Sequence, residues 1–324
     1  MGFRHARRAA AFGSVVAVLG GVLAGCSGSA AGGLSTTSKG LTHVNVGVLP
    51  INDDAAVYVA LEHGLFDAHG LDVTPVILNS GEQATSELLS GQLQFAFSNY
   101  VSTVLAASQG AQLRIVAAGS QALPNTNDLM VARDSPIRNV AQLRGKSIAV
   151  NALGNIGTMM TNATLRAAGV PVDSVHYKVV PFPDMAAALT ARTVDAAWMA
   201  EPFVTESGEG TGAEELADTA SGPMTNLPIA GYTTLRSYAQ VNTTVVTEFT
   251  AAVVQAQAMS GNRSVVEQAI ATYISGATPG LVAAVQLDEY PSTLNRDQLQ
   301  RVADLMLSAG LLSRPFNISQ LLSP

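Results

Sequence analysis

The sequence predicts an α/β protein of two lobes, each a mostly parallel sheet flanked by helices, with two chain crossings between them. Three observations lead there. From Val44 to Leu235, short β-branched runs alternate with apolar residues at helical spacing, the pattern of parallel strands joined by right-handed crossovers. Charged residues make up 13% of the chain and aromatic residues 5%, while Ala, Val, Leu and Gly are abundant, which suits strands buried on both faces. Setting the first 25 of the 324 residues aside leaves 299, beyond the size at which one core usually stops growing. No internal repeat of fixed period is visible.

Residues 1–25 read as an export signal, because Arg4, Arg7 and Arg8 precede the uncharged apolar stretch Ala9–Ala24. That stretch falls short of the roughly 20 residues a helix needs to cross a bilayer core, so no permanent span is expected. It ends Leu23-Ala24-Gly25-Cys26, which resembles the bacterial lipoprotein signal, in which the cysteine is lipidated and becomes the first mature residue. The alternative is a free cysteine behind an ordinary cleavable signal. Arg7-Arg8 followed by Phe12 leaves both the general and the twin-arginine export routes open. Cys26 is the sole cysteine, so no intramolecular disulfide can form and the exported part must rest on its own core. Residues 26–40, rich in Ser, Gly, Ala and Thr, bury too little apolar surface to order themselves and read as a tether. Cleavage removes three arginines and no acid, taking the formal charge from −7 to −10. An acidic mature chain argues against nucleic acid as a partner.

The first lobe is expected over 41–125 and 228–324. A strand at Val44–Leu49 precedes a helix carrying Val57, Ala60, Leu61 and Leu65, with Asp53 or Asp54 able to cap it. Gly64 and Gly70 punctuate the return into a strand at Leu71–Leu78, and Ser80-Gly81 opens a helix through Leu89. Phe95–Phe97 reads as a short buried strand, Ser98-Asn99 as the cap of a helix at Val101–Ser108, and Leu113–Ala118 as the next strand. The break Gln121–Asn127 marks the first crossing.

The second lobe, 126–227, repeats the logic. Strands are expected at Leu129–Ala132, Ser147–Val150, Val175–Val180 and Val194–Met199, with helices at Ile156–Ala168 and Asp184–Ala191. The acidic, Gly-rich run Glu206–Asp218 reads as a solvated connection. Gly222-Pro223 to Pro228 is the place for the chain to return, and Ile229–Leu235 the strand that rejoins the first lobe. The remainder shows helical periodicity in Phe249, Val253, Val266, Ile270, Leu299, Val302 and Met306, predicting a helical cap on the first lobe.

Laid out this way, the chain resembles the ABC-transporter periplasmic solute-binding proteins that serve nitrate, sulfonate, taurine and thiamine-precursor importers. Four segments carry the likeness. They are Gly47-Val48-Leu49-Pro50 leading to Glu62-His63-Gly64-Leu65-Phe66; Leu89-Ser90-Gly91-Gln92-Leu93-Gln94-Phe95-Ala96; Leu143-Arg144-Gly145-Lys146-Ser147 running into Gly154-Asn155-Ile156-Gly157-Thr158; and Val194-Asp195-Ala196-Ala197-Trp198 through Glu201-Pro202-Phe203. Gln94 departs from the acid often found there. The resemblance implies a type II periplasmic-binding-protein fold and a small organic solute captured by hinge closure. It further implies docking of the closed form on permease and ATPase subunits, no cofactor or metal, and a monomer tethered by lipidated Cys26 to the outer face of the cell membrane.

In an open α/β sheet, ligands sit beyond the carboxyl ends of strands, where helix N-termini converge. Here those positions are Asn52, Asp53 and Asp54; Ser80 and Gly81; Ser98, Asn99 and Tyr100; Gly154, Asn155, Ile156, Gly157 and Thr158; Asp184; and Trp198 with Glu201. Helix starts carry unpaired N–H groups and partial positive charge, and so can hold an anion without a basic side chain. The glycines either let a ligand approach the backbone or only make turns. Trp198, the single tryptophan, either walls the site or packs in a core. Asp53 and Asp54 either cap a helix or face the cleft; in the second case an amino group or protonated ring nitrogen becomes attractive, as in an aminosulfonate or a thiamine-precursor pyrimidine.

No catalytic constellation is present. His43, His63, His69 and His176 are scattered, and there is no paired-histidine zinc motif, phosphate-cradling loop or Gly-x-Ser-x-Gly elbow. Fungal relatives of the fold make the thiamine pyrimidine at a cysteine-rich iron site, which a single cysteine does not support, so no enzyme is expected. A surface-tethered sensor using the same fold is the other reading, and an adjacent permease and ATPase would argue against it.

Overall fold

Strand and helix alternate through the computed structural model, which describes residues 35–38 and 40–322. The strands are β1 Thr42–Val48, β2 Leu71–Ile77, β3 Phe95–Asn99, β4 Leu113–Gln121, β5 Asn127–Val131, β6 Ser147–Val150, β7 His176–Val179, β8 Ala196–Ala200, β9 Glu214–Asp218 and β10 Pro228–Leu235. The helices are α1 Ala55–Glu62, α2 Leu65–Ala68, α3 Gly81–Leu89, α4 Tyr100–Ser108, α5 Ile156–Ala167, α6 Phe182–Thr190, α7 Phe203–Thr211, α8 Arg236–Val241, α9 Thr243–Ser260, α10 Arg263–Tyr273, α11 Pro279–Ala284, α12 Arg296–Ser308 and α13 Ser319–Leu322.

Two five-stranded sheets result, in the orders β2-β1-β3-β10-β4 and β7-β6-β8-β5-β9. In each, four strands run one way and one runs against its two neighbours: β10 between β3 and β4, and β5 between β8 and β9. The reversed strands are those that enter a sheet from the other. Asn127, the first residue of β5, pairs with Ala200, the last of β8, and Pro228 at the start of β10 pairs with Gln121 at the end of β4. A chain arriving at the carboxyl ends of a parallel sheet can join it only by running backwards. The two crossings, 122–126 and 219–227, therefore lie beside the carboxyl ends of both sheets.

Burial explains the central strands. Val44, Val46 and Val48 of β1 are fully buried, and every residue of β3 and β8 is buried, as parallel strands covered on both faces require. Helix starts are set by small polar residues. Ser80 accepts from the Gln83 N–H, Asn99 from Ser102, and Asn155 from Thr158, whose hydroxyl in turn accepts from the Asn155 N–H in a reciprocal box. Gln94 contributes to the first sheet, its Oε1 accepting from Asn45 N at 2.7 Å.

Three expectations are corrected. The run Glu206–Asp218 is not a solvated connection but the body of α7 followed by β9. Composition concealed the helix, which is anchored by buried Phe203, Val204 and Ser207 and ended by Gly212 in the left-handed region at φ 70°. β9 pairs only with β5 and keeps Glu214 and Glu215 exposed, as a charged edge strand does. The tether does not extend to residue 40: Thr36 pairs with Thr42, and His43 N donates to Ser35 O at 2.9 Å, folding this segment back on β1. Nor is the C-terminal region a cap on the first sheet alone. α9 packs on α1, α2 and β4, with Phe249 stacked on Phe95 at 3.9 Å, but α11 reaches α7 beside the second sheet. Among the described residues, no helix is long and apolar enough to cross a membrane. Residues 1–34, with Cys26 and the signal, lie outside the described residues.

Candidate functional site

Where the carboxyl ends of the two sheets face each other lies a narrow cavity in which about 20 Å³ admits the centre of a water molecule. The first lobe lines it with Leu49, Ile51, Asp53, Phe97, Asn99, Ile229 and Ala230, and the second with Asn127, Asn151, Ile156, Phe182, Trp198 and Ala200. It is a narrow slot with aromatic walls and a few polar groups. No lysine, arginine or histidine is among the described lining residues.

Trp198 is held rigidly. Its Nε1 donates to Thr219 Oγ1 at 3.0 Å, and Phe182 tilts against it with ring centroids 5.9 Å apart. Gly157, in the first turn of α5, makes room for the ring: a Cβ there would lie 2.5 Å from Trp198 Cε3. Both sequence readings of Trp198 thus hold together, since it is packed in the second lobe and walls the slot. Gly81 serves a similar purpose, a Cβ there meeting Asn99 Nδ2 at 2.6 Å and Ser98 Oγ at 2.8 Å. At these two helix starts the space beside the glycine is filled by protein rather than left for a ligand.

Asp53 is the lining residue with charge. Its Oδ2 accepts from Ser120 Oγ at 3.0 Å, while its Oδ1 is buried with no partner. Burial, opposed by the Ser120 bond and reinforced by the nearby Glu201 carboxylate, pushes its carboxyl up to about 6. Asp288 lies behind it with both oxygens buried, its carboxyl raised well above the usual range by burial and then by Asp53. Asn127 turns its NH2 to Thr126 Oγ1 at 2.9 Å and leaves its Oδ1 buried without a partner.

The other residues singled out from sequence are engaged elsewhere. Asn52 and Glu201 join the lobes: Asn52 N donates to Glu201 O at 2.9 Å, Asn52 Nδ2 to Gln286 O at 3.1 Å, and Gln286 N to Glu201 Oε1 at 3.0 Å. Glu201 also accepts from the N–H and hydroxyl of Thr205, tying down the start of α7. Asp54 accepts from Leu49 N at 3.0 Å and from the Tyr232 hydroxyl at 2.6 Å, locking the β1–α1 loop inside the first lobe. Tyr100 points into the first lobe, where a Cβ on Gly231 would lie 2.5 Å from its hydroxyl. Ser80, Asn155 and Thr158 are spent on capping, and Ser98 sits against Gly81. Gly154 turns the β6–α5 loop at φ 68°, and Asp184 is exposed in the first turn of α6. Of the residues predicted to contact ligand, Asp53, Asn99, Ile156 and Trp198 line the cavity. Asn151 closes one mouth across the lobes, Nδ2 donating to Asn79 O at 3.2 Å. Sequence reasoning missed it together with Asn127, Phe97 and Ile229; the end-of-strand rule that located Trp198 applies equally to Asn151, directly after β6.

The NMT1/THI5-like family model matches residues 52–262. The chain belongs to the NMT1/THI5-like family. A Brucella abortus protein described as a candidate binding protein is 29% identical over 146 residues, a stretch covering 45% of this chain and 44% of that protein, so the match spans under half of either. A candidate aliphatic sulfonates-binding protein of Escherichia coli K12 is 26% identical over 74% of this chain and 76% of its own length. Among solved structures, the alkanesulfonate-binding protein SsuA of Xanthomonas axonopodis pv. citri, bound to MOPS, superposes with a TM-score of 0.73 at 20% identity, covering 86% of this chain and 97% of its own. The periplasmic nitrate-binding protein NrtA of Synechocystis PCC 6803 gives 0.71 at 15% identity, covering 84% and 83%. These superpositions establish the periplasmic-binding-protein fold; the names of the relatives are those of binding proteins.

Proposed function

We propose that this chain is the extracytoplasmic substrate-binding subunit of an ABC importer, exported and held to the outer face of the membrane by lipidated Cys26, and that it captures a small organic solute without chemically changing it. The observation that carries this reading is the slot walled by both lobes at the carboxyl ends of both sheets. A space admitting water centres over only about 20 Å³ holds about one water, so an organic solute enters only if the lobes part. The crossings at 122–126 and 219–227 are the segments about which they part. A solute touching both lobes then favours the closed form, which the permease reads. Asp53, Asn99, Ile156 and Trp198 are the ligand contacts among the residues named from sequence. The solute is of the sulfonate or taurine type, or a nitrogen compound of the thiamine-precursor pyrimidine type.

A thermal-shift screen of the purified chain against alkanesulfonates, taurine, nitrate, amino acids and pyrimidines tests the reading. A ligand at 100 times its Kd adds about 2.7 kcal/mol to stability. The expected hit disappears on Trp198→Ala; a hit that survives this substitution unchanged would remove the slot as the site.

A further inference from the structure

The relatives named for what they bind take sulfonates and nitrate, and of the two solute types above the lining of this slot favours the nitrogen compound. We propose, resting on the binding reading above, that its solute carries a planar nitrogen cation of the amidinium or guanidinium type, received by Asp53 and Asn127 between the aromatic walls.

Two independent sets of observations lead to this. The first is the unpartnered oxygens. Asp53 Oδ1 and Asn127 Oδ1 both belong to residues lining the slot, both are buried, and neither has a hydrogen-bond partner. They come from opposite lobes and are acceptors, so a single group bearing two N–H donors completes both when the lobes close. Glu201 adds negative potential, Asp288 lies behind Asp53, and among the described residues none of these three acids is ion-paired with a lysine, arginine or histidine. An anion placed here would meet Asp53 and Glu201 with no basic side chain to offset them. The second is the walls. Phe97, Phe182 and Trp198 present ring surface to the same space, and aromatic faces attract cations while accepting a flat ligand. A metal ion is the poorer occupant, since among the described residues no group of three or more His, Cys, Asp or Glu side chains is placed to hold one.

The titratable and polar groups around Asp53 are Ser120 from β4 and Glu201 directly after β8, which act on it, and Asp54 beside it in the same loop and Asp288 with Tyr290 from the segment after α11, on which it acts. Burial and the Glu201 carboxylate oppose ionisation of Asp53, while the Ser120 hydroxyl and its own backbone N–H favour it. Binding a cation requires the ionised form, so affinity rises with pH across the range around 6 in which Asp53 titrates.

Isothermal titration of the purified chain with benzamidinium and, separately, with benzenesulfonate, a flat anion of similar size, decides the matter. The expected result is benzamidinium binding that tightens between pH 5 and pH 7, weakens at least tenfold in Asp53→Asn, and is lost in Trp198→Ala. Circular dichroism of Asp53→Asn checks that the fold is kept, and Asn127→Leu, which removes the second acceptor without touching a charge, should also weaken binding. Failure of benzamidinium to bind, or equal binding to Asp53→Asn, overturns the inference. Benzenesulfonate binding that is lost in Trp198→Ala, with no benzamidinium binding, overturns it while leaving the slot as the solute site. Benzamidinium binding that is indifferent to Asp53, Asn127 and Trp198 alike places the ligand outside the slot and overturns both readings.

Discussion

Three carboxyl groups near the lobe junction keep their protons to higher pH than they would in water. Burial is the leading cause for each: Asp53 is pushed up to about 6, Asp128 up to about 8, and Asp288 well above the ordinary range. The native state therefore favours the protonated acids relative to the unfolded chain. The stability this gives is complete below the ordinary carboxylate range and is lost as pH rises, through about 6 for Asp53 and about 8 for Asp128. The melting temperature is expected to fall between pH 5 and pH 9. Asp128→Asn should raise it at pH 9 and change it little at pH 5, because Asp128 faces Asp218 across β5 and β9 and Glu215 nearby, and carries an unpartnered oxygen. A pH-independent effect of Asp128→Asn would contradict this account. Gly157 offers a second test at this scale. Gly157→Ala forces a methyl to within 2.5–2.9 Å of the Trp198 ring and should cost about 1–3 kcal/mol in denaturant unfolding, as overpacking does.

At the scale of elements, three helix starts facing the cleft, those of α3, α4 and α5, are already satisfied by their own caps. Asn155 accepts from Thr158 N and donates its NH2 to Asn151 Oδ1 at 2.8 Å, so the start of α5 and the mouth of the slot are one network. Asn155→Ala is expected to destabilise by about 0.5–2 kcal/mol and to weaken ligand binding by freeing Asn151; loss of stability with unaltered binding would separate the two roles. Element type was legible from short range: β-branched runs bounded by glycine located β1, β2 and β6, and Ser80 and Asn99 announced α3 and α4. α7 and β9 were not legible. α7 starts two residues after a glutamate whose carboxylate reaches Thr205, and β9 exists because β5 supplies its partner, and neither relation is visible in a run of Glu and Gly.

Over the whole molecule, two chain crossings and the segment 286–290 span the lobes. In that segment Glu289 pairs with Gln121 through bonds of 2.9 and 3.0 Å, while Gln286 joins Glu201 to Asn52. Asn151 to Asn79 is the counterpart at the mouth. Asn151→Ala should shift the population toward the open form, read as a larger radius of gyration in solution scattering without ligand; an unchanged radius would assign closure to the rear bonds alone.

The sequence by itself determined the order of strands and helices apart from α7 and β9, the two crossings, the acidic charge and the family, because these rest on periodicity and on runs of adjacent residues. Tertiary structure decided which of the end-of-strand residues face the slot. Asp53 and Asp54 are neighbours of one residue type, yet one lines the cavity and the other bonds Tyr232 within the first lobe. That choice depends on where β4 and β10 place Ser120 and Tyr232, residues more than 60 positions away along the chain, and local sequence carries no record of it.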